Sequence, residues 1–484
     1  MAHADPPGAV QSSTPPRSDA TAVEQSRPGV ELTLAALATA ALAYSLLQTM
    51  VSPALPTIQA AFGAPTSEVA WILTGYLLSA AVATPILGRL GDLHGRRRMM
   101  IAALLGLAVG SLISALAPSL PIMIFGRVVQ GVGAGVFPIA FGIIRDEFPA
   151  ERVPGAIGLV SALLGLGAGL GVVLSGVIIE NLDYHWLFWI PLVMILLALA
   201  TIWIAVPESP TRVSGSVNWR GAILLSFGLV GILLAVTKTT TWGWGSPKTL
   251  GVLAAGAAFL VGWVFAEWRS DDPLVDMRMM ARRGVWATNL AAISLGVGML
   301  TAFVLLPQLA QVPIRSGFGF GLTVTEAGLF LLPMATAVLA LSLVAGKVEA
   351  RFGSKAALIA GASFTMAACA LLLLRHDAKL PIYVASGLLG VGIGLAFAAM
   401  ANLIVQSVSP SQTGVATGMN AVARSLGGAF GGQIAATFLT TSAGSDGLPT
   451  IAGFNHGFIL GLLACAVAIA AAVAIPRRPN GREI

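Results

Sequence analysis

Apolar stretches of about 18 to 25 residues, the length that crosses the hydrocarbon of a bilayer, recur along this chain with short polar breaks between them. They fall near residues 31–52, 68–87, 99–117, 120–143, 155–179, 186–206, 219–237, 249–266, 285–306, 325–345, 356–374, 381–405, 413–439 and 456–475. The pattern predicts an all-α membrane protein with fourteen transmembrane helices, of which the glycine-rich thirteenth is the least regular as a plain span. Residues 1–30 are rich in Pro, Ser, Ala and Thr and contain no apolar run, so they read as a disordered tail. The first span is then an uncleaved anchor, and residues 476–484 form a second short tail.

Composition agrees with the pattern. The 484 residues are 56% apolar and 10% charged, with a mean hydropathy of +0.86, whereas a soluble domain carries about 25% charged residues. The two cysteines, Cys369 and Cys465, lie inside apolar runs. They cannot build a disulfide framework or a four-ligand zinc site, and they read as core packing.

The excess of Lys and Arg (27) over Asp and Glu (21) is a matter of orientation, not of nucleic-acid binding. With both termini inside, 20 of the basic residues fall in the tails and inner loops, five fall in outer loops, and two, Arg127 and Arg424, lie within spans. That asymmetry places both termini in the cytoplasm of a multi-pass protein of the cytoplasmic membrane. An even number of spans, which puts both termini on one side, agrees.

A repeat emerges when the loops are compared. GRLGDLHGRRR from Gly88 is echoed by GKVEARFGSK from Gly346, an offset of 258; QGVGAG at Gln130 by LGVGIG at Leu389, and GAIG at Gly155 by GVAT at Gly414, both at 259. Three landmarks in one order and at one spacing imply two related six-helix bundles, residues 31–206 and 285–475. An inserted helix pair with its loop, 207–284, separates them. Repeated halves around a central site are a transporter architecture.

The motifs identify the chain as similar to the major facilitator superfamily, and more narrowly to its fourteen-helix drug:proton antiporter branch. The loop motif Gly-x-Leu-x-Asp-x-x-Gly-Arg-Arg is matched at Gly88, Leu90, Asp92, Gly95, Arg96 and Arg97, and Arg-x-x-Gln-Gly at Arg127, Gln130 and Gly131. WGWGSP at Trp242–Pro247, Glu267 with Arg269, PLVD at Pro273–Asp276 and the run Gly414–Gly431 also resemble that branch. The resemblance implies the major facilitator fold, a hydrophobic small-molecule substrate, export by alternating access with proton antiport, no cofactor, and a monomer in the lipid bilayer. Three positions depart from the branch: Leu47 with Gln48 where its first helix usually carries Asp, Val172 and Ser175 in the fifth-helix proline–glycine motif, and Ala350 where the first half has Asp92. The first two weaken the sequence basis for proton coupling.

An arginine at mid-span must face a partner or a wet cavity. Arg127 is therefore expected in the cavity, as the resemblance implies, or else as a post for backbone carbonyls. Arg424 is placed where it could serve the pathway or snorkel to an inner end. Asp92 with Arg96 and Arg97 is expected to latch the inner gate through a helix N-terminus of the other half. Polar residues inside apolar spans, Gln48, Tyr76, Asn289, Gln308, Asn402 and Asn420, are candidate substrate contacts or interhelical hydrogen bonds. Of the acidic residues, Glu31, Glu68, Glu180 and Glu326 fall at span ends and none near a span centre; Glu68, Glu180 and Glu326 are the candidate proton carriers. Uptake, lipid-like transport and a non-transporting receptor remain open on the same fold. No metal cluster, Walker loop or catalytic triad is legible, which disfavours an enzyme.

Overall fold

The computed structural model describes residues 29–208, 215–444 and 448–476; most of both expected tails lies outside the described residues. The regular structure among those residues is helical, apart from a single bridge between Ala443 and Pro449. The first six long helices are α1 (Val30–Phe62), α2 (Trp71–His94), α3 (Arg96–Ala115), α4 (Leu120–Glu147), α5 (Val153–Asn181) and α6 (Trp186–Ala205). Two more follow, α7 (Trp219–Thr237) and α8 (Pro247–Trp268). The last six are α9 (Arg283–Gln311), α10 (Leu332–Phe352), α11 (Ser354–Leu374), α12 (Lys379–Ser407), α13 (Thr413–Thr441) and α14 (Ile451–Ala474).

Among the described residues twelve helices are long and apolar enough to cross a membrane, or thirteen when a bent pair counts as one span. Fourteen were expected, and two segments account for the difference. A bend of 62° separates Glu326–Leu341, which runs into α10, from Gly346–Phe352 at its end. In α13, 29 residues long, glycines, threonines, Asn420, Arg424 and Gln433 dilute the apolar residues, so it falls outside the set although it has the length. At 1.5 Å per residue a 29-residue helix is roughly 43 Å long, well beyond the ~30 Å hydrocarbon, so such helices tilt or project from it. The first helix runs on past the predicted end at residue 52, through Pro53 and Pro56, to stop at the left-handed Gly63.

Small residues set the packing, as they must where lipid gives helices no hydrophobic reason to associate. The GVGAG run at Gly131–Gly135 tightens α4 into a 3₁₀ turn and wedges it between two neighbours. A β-carbon at Gly131 would come within 2.5 Å of Ser79 on α2, and one at Gly133 within 2.6 Å of Leu107 on α3. Helices α1–α6 pack among themselves, as do α9–α14, and the two sets meet through α2 and α4 against α13, and α5 against α10 and α12. The pair α7–α8 packs on itself, with α7 against α2 and α13; α8 is the least buried of the apolar helices. A second apolar core joins Leu225 and Leu229 of α7, Trp263 of α8 and Val275 of the following loop to Val415 and Met419 of α13. Cys369 and Cys465 are both free and fully buried.

The α5–α10 crossing gives a test of how tight this contact is. A β-carbon at Gly346 would sit 2.7 Å from the Gly155 Cα, whereas one at Gly251 of α8 meets nothing within 4 Å. Gly346→Val is expected to lose about 1–3 kcal/mol by overpacking and to lower the melting temperature of the purified protein, with Gly251→Val unchanged. Equal melting temperatures for the two variants would mean that α5 and α10 do not touch.

Candidate gate and central pocket

The loop of basic residues closes one end of the molecule. The first four N–H groups of a helix have no partner within it and attract negative charge. Asp92, near the end of α2, uses both carboxylate oxygens there: Gly414 N–H donates to Oδ1 (3.3 Å) and Val415 N–H to Oδ2 (3.2 Å), at the start of α13. The approach requires glycine on both sides, since a β-carbon at Gly88 would lie 2.5 Å from the Gly414 carbonyl oxygen, and one at Gly414 2.5 Å from the Gly88 oxygen. Gly95, at φ +104°, turns the chain from α2 into α3.

Arg96 organises the same junction from within. Its guanidinium pairs with Asp92 Oδ1 (3.0 Å) and Asp146 Oδ1 (2.5 Å) and donates to the carbonyls of Gly142 (2.8 Å) and Pro410 (2.5 Å). Arg145 adds bonds to Thr413 Oγ1 (2.7 Å) and the Val408 carbonyl (3.0 Å). Asp92 and Arg96 are each 1% exposed, so solvent does not weaken these contacts. Arg97 does not join them. It lies one residue on, about 100° around the helix, and donates to the Trp203 carbonyl of α6 in its own half. Arg98 pairs with Glu208 at 3.4 Å. The contacts at this junction are therefore made by Asp92, Arg96, Arg145 and Asp146, and the expected partner Arg97 is not among them.

A second closure mirrors the first with different chemistry. Where α10 ends against the start of α5, Asn402 Nδ2 donates to Glu349 Oε2 (2.9 Å) and to the Pro154 carbonyl (3.2 Å), and Ser354 Oγ also donates to Glu349. Asn402 is thus an interhelical link across the halves. Glu349 is 5% exposed, and its Oε1 has no hydrogen-bond partner. Sequence comparison set Ala350 opposite Asp92; the repeat keeps its carboxylate one position earlier, where it turns toward its own half.

Arg127 is fully buried, but away from the pocket. It donates to the carbonyls of Leu47 and Ile72 (3.3 Å each) and to Gln130 Oε1 (2.6 Å), and its carbon Cζ lies 4.3 Å over the Tyr76 ring. Gln130 Nε2 donates onward to Ser111 Oγ (3.0 Å). These contacts tie α1, α2, α3 and α4 of one half together. The carbonyl-post arrangement replaces the cavity-lining one, and Nη2 is left without a partner. Gly131 beside it serves packing against α2.

The pocket belongs to Arg424. Between α4 and α5 of one half and α12 and α13 of the other lies a narrow cavity of about 20 Å³, lined by Phe137, Phe141, Ser161, Phe397, Asn420 and Arg424 among others, with room for about one water molecule while the halves are packed together. Arg424 does not snorkel: its Cζ sits 4.3 Å over the Phe397 ring. Asn420 donates to Asn289 Oδ1 (2.9 Å), so that candidate pair is one interhelical bond with Asn420 at the pocket wall. Tyr76 is buried with its hydroxyl unpartnered, and Gln48 is half-buried. Gln308 lines a separate recess of about 390 Å³ beside Thr440 and Pro449. Glu68, Glu180 and Glu326 are all exposed at helix ends, and Glu326 closes a capping box with Thr323; none enters the pocket.

The sequence model of the Major Facilitator Superfamily matches residues 37–432 and again 287–483. The chain belongs to this superfamily. The double match is what two related halves produce, and a protein of this superfamily with so many apolar helices is a multi-pass membrane protein. Among relatives, a multidrug resistance protein B homolog of Mycobacterium tuberculosis is 28% identical over 85% of this chain and 74% of its own length. A tetracenomycin C resistance and export protein of Streptomyces glaucescens is 29% identical over 85% and 76%. The multidrug transporter protein MdtP of Bacillus subtilis is 28% identical over 79% and 70%. Two solved major facilitator structures share the fold: the human organic anion transporter MFSD10 (TM-score 0.64, 18% identity, 92% of this chain and 99% of that one) and the proton:xylose symporter XylE (0.65, 14%, 93% and 96%).

The latch predicts a change in access. Asp92→Asn keeps the size and removes the charge that holds the α13 N-terminus, so the basic end should open more often. A cysteine at Thr417, 3% exposed on the pocket wall, should then react several times faster with a membrane-impermeant maleimide applied from that end. The native cysteines are buried and add little background. An unchanged rate would remove Asp92 from control of the gate.

Proposed function

We propose that this chain exports hydrophobic small molecules from the cell by alternating access, with the Asp92 latch as its cytoplasmic gate. The observation that carries the reading is a pocket shared by four helices, two from each half, sealed at the basic end by a buried carboxylate of one half on a helix N-terminus of the other. Breaking Asp92 from α13 and Asn402 from Pro154 would let the halves rock apart at that end, and nothing in either contact prevents its re-forming. The pathway lies within one chain, so a monomer suffices. The charge asymmetry of the loops supports cytoplasmic termini.

Export rather than uptake rests on the relatives, whose names record multidrug resistance and antibiotic export. Proton antiport follows from the resemblance to the antiporter branch. A proton carrier has to alternate between wet and dry surroundings, and exposed Glu68, Glu180 and Glu326 do not. Glu349 fits better, because it is buried only while the α5–α10 closure holds.

The experiment is a susceptibility panel of lipophilic compounds in a host stripped of its own pumps. The protein should raise resistance to at least one compound, and Gly88→Val, which blocks the α2–α13 approach, should abolish the gain at equal membrane abundance. Collapse of the proton gradient should stop efflux, and Glu349→Gln should reduce its dependence on that gradient. Uptake instead of efflux in oriented vesicles would overturn the direction; ligand binding without flux would make the protein a receptor.

A further inference from the structure

Arg424 is the feature of the pocket that its shape alone does not explain. It lies 11 residues past the start of α13, roughly 16 Å at 1.5 Å per residue, which puts a permanent cation well inside the helix and away from either end. Among the described residues no carboxylate pairs with it, and the titratable group facing it is Tyr44, a neutral phenol. One face of the guanidinium lies on Phe397. Its N–H fork, which suits planar two-oxygen anions, has no protein acid to satisfy it. A second orphan shares the wall: Ser161 is 3% exposed, and its hydroxyl has no hydrogen-bond partner. Phe137 and Phe141 complete the apolar surround.

We propose that this narrow site, widened when the halves rock apart, binds aromatic or otherwise apolar compounds carrying a negative charge, with Arg424 as the anion anchor, Ser161 as a donor beside it and Phe137, Phe141 and Phe397 as the surface for the apolar body. The assignment rests on the export reading and narrows it to a substrate class. Lipophilic cations are excluded by the same charge, because no acid in the pocket offsets Arg424 and a low-dielectric site enlarges like-charge repulsion. A cation exporter of this fold would need a carboxylate here, and the lining contains none.

Two dyes of similar size and opposite charge test this with the full chain: anionic fluorescein and cationic ethidium. Each is titrated against purified protein by fluorescence anisotropy. Fluorescein should bind, Arg424→Gln should weaken it about tenfold or more, Arg424→Lys should restore part of the loss, and ethidium should not bind the wild type. The lysine variant keeps the test meaningful if the glutamine variant fails to fold, and melting temperatures identify that case. Ethidium binding in preference to fluorescein, no fluorescein binding, or fluorescein binding indifferent to Arg424 would overturn the assignment. Flux in proteoliposomes separates it from the export reading. Fluorescein bound through Arg424 but never moved would leave the anion site standing and sink export, whereas efflux of cationic or neutral dyes independent of Arg424 would do the reverse.

Discussion

The fold is organised by the energetic cost of burying a charge in a bilayer, which forces each buried ionic group to find partners and makes every such partnership a constraint on where helices lie. Asp92 shows the consequence most directly. Its carboxylate is withdrawn from solvent, and it is compensated by Arg96 and by two N–H groups of a helix from the other half. Removing one member of a buried pair costs about 3–5 kcal/mol, while the intact pair adds little net stability. A contact of that kind is poorly suited to hold a structure together by itself and well suited to define one of two states, since it is either complete or absent. The glycines at 88 and 414 exist to let the backbones approach closely enough for it to be complete.

The two ends of the pseudo-repeat solve this problem unequally. At the α2–α13 junction the charge crosses between halves; at the α5–α10 junction Glu349 stays with its own half and an amide, Asn402, makes the crossing. The inserted pair adds weight to the first junction only, because α7 packs on both α2 and α13 and the loop residue Asp276 accepts from Gln412 immediately before α13 (3.2 Å). Glu267 reinforces that loop by accepting from Val275 N–H (3.4 Å). The Glu267 and PLVD motifs, which had no role when read as sequence, thus brace the helix whose N-terminus Asp92 engages.

Much of the fold was legible because bilayer thickness and backbone satisfaction leave a chain few options: apolar length gave the spans, and the spacing of 258 to 259 residues between glycine-rich landmarks gave the halves. The contact of Asp92 with Arg96 and with a helix N-terminus of the other half was legible too, since its residues are out of place for a loop that merely sets orientation. What sequence could not give was side-chain direction. Arg97 differs from Arg96 by one helical step and faces another helix; Arg127 and Arg424 are both arginines within spans, yet one is used up by carbonyls and the other is not. Glu349 was missed because the repeat was aligned by position, and a shift of one residue turns a carboxylate to a different face. The phenylalanines of the pocket were invisible among 20 in an apolar chain.

A fixed cation in the alternating site also has a consequence for the direction of transport. With a monoanion bound at Arg424 the moving charge is neutralised, so the loaded carrier reorients with little effect from the membrane potential. The empty carrier returns with its positive charge unmasked, and an inside-negative potential draws that charge toward the cytoplasm, at up to about 2.3 kcal/mol per 100 mV for one charge crossing the whole field. The potential therefore acts on the empty return step and favours export of the anion over its uptake. In the proposed antiport a proton entering at Glu349 would move charge in the same sense, so the two couplings would push the cycle the same way, and no acid lines the pocket to cancel the Arg424 charge when the site is empty.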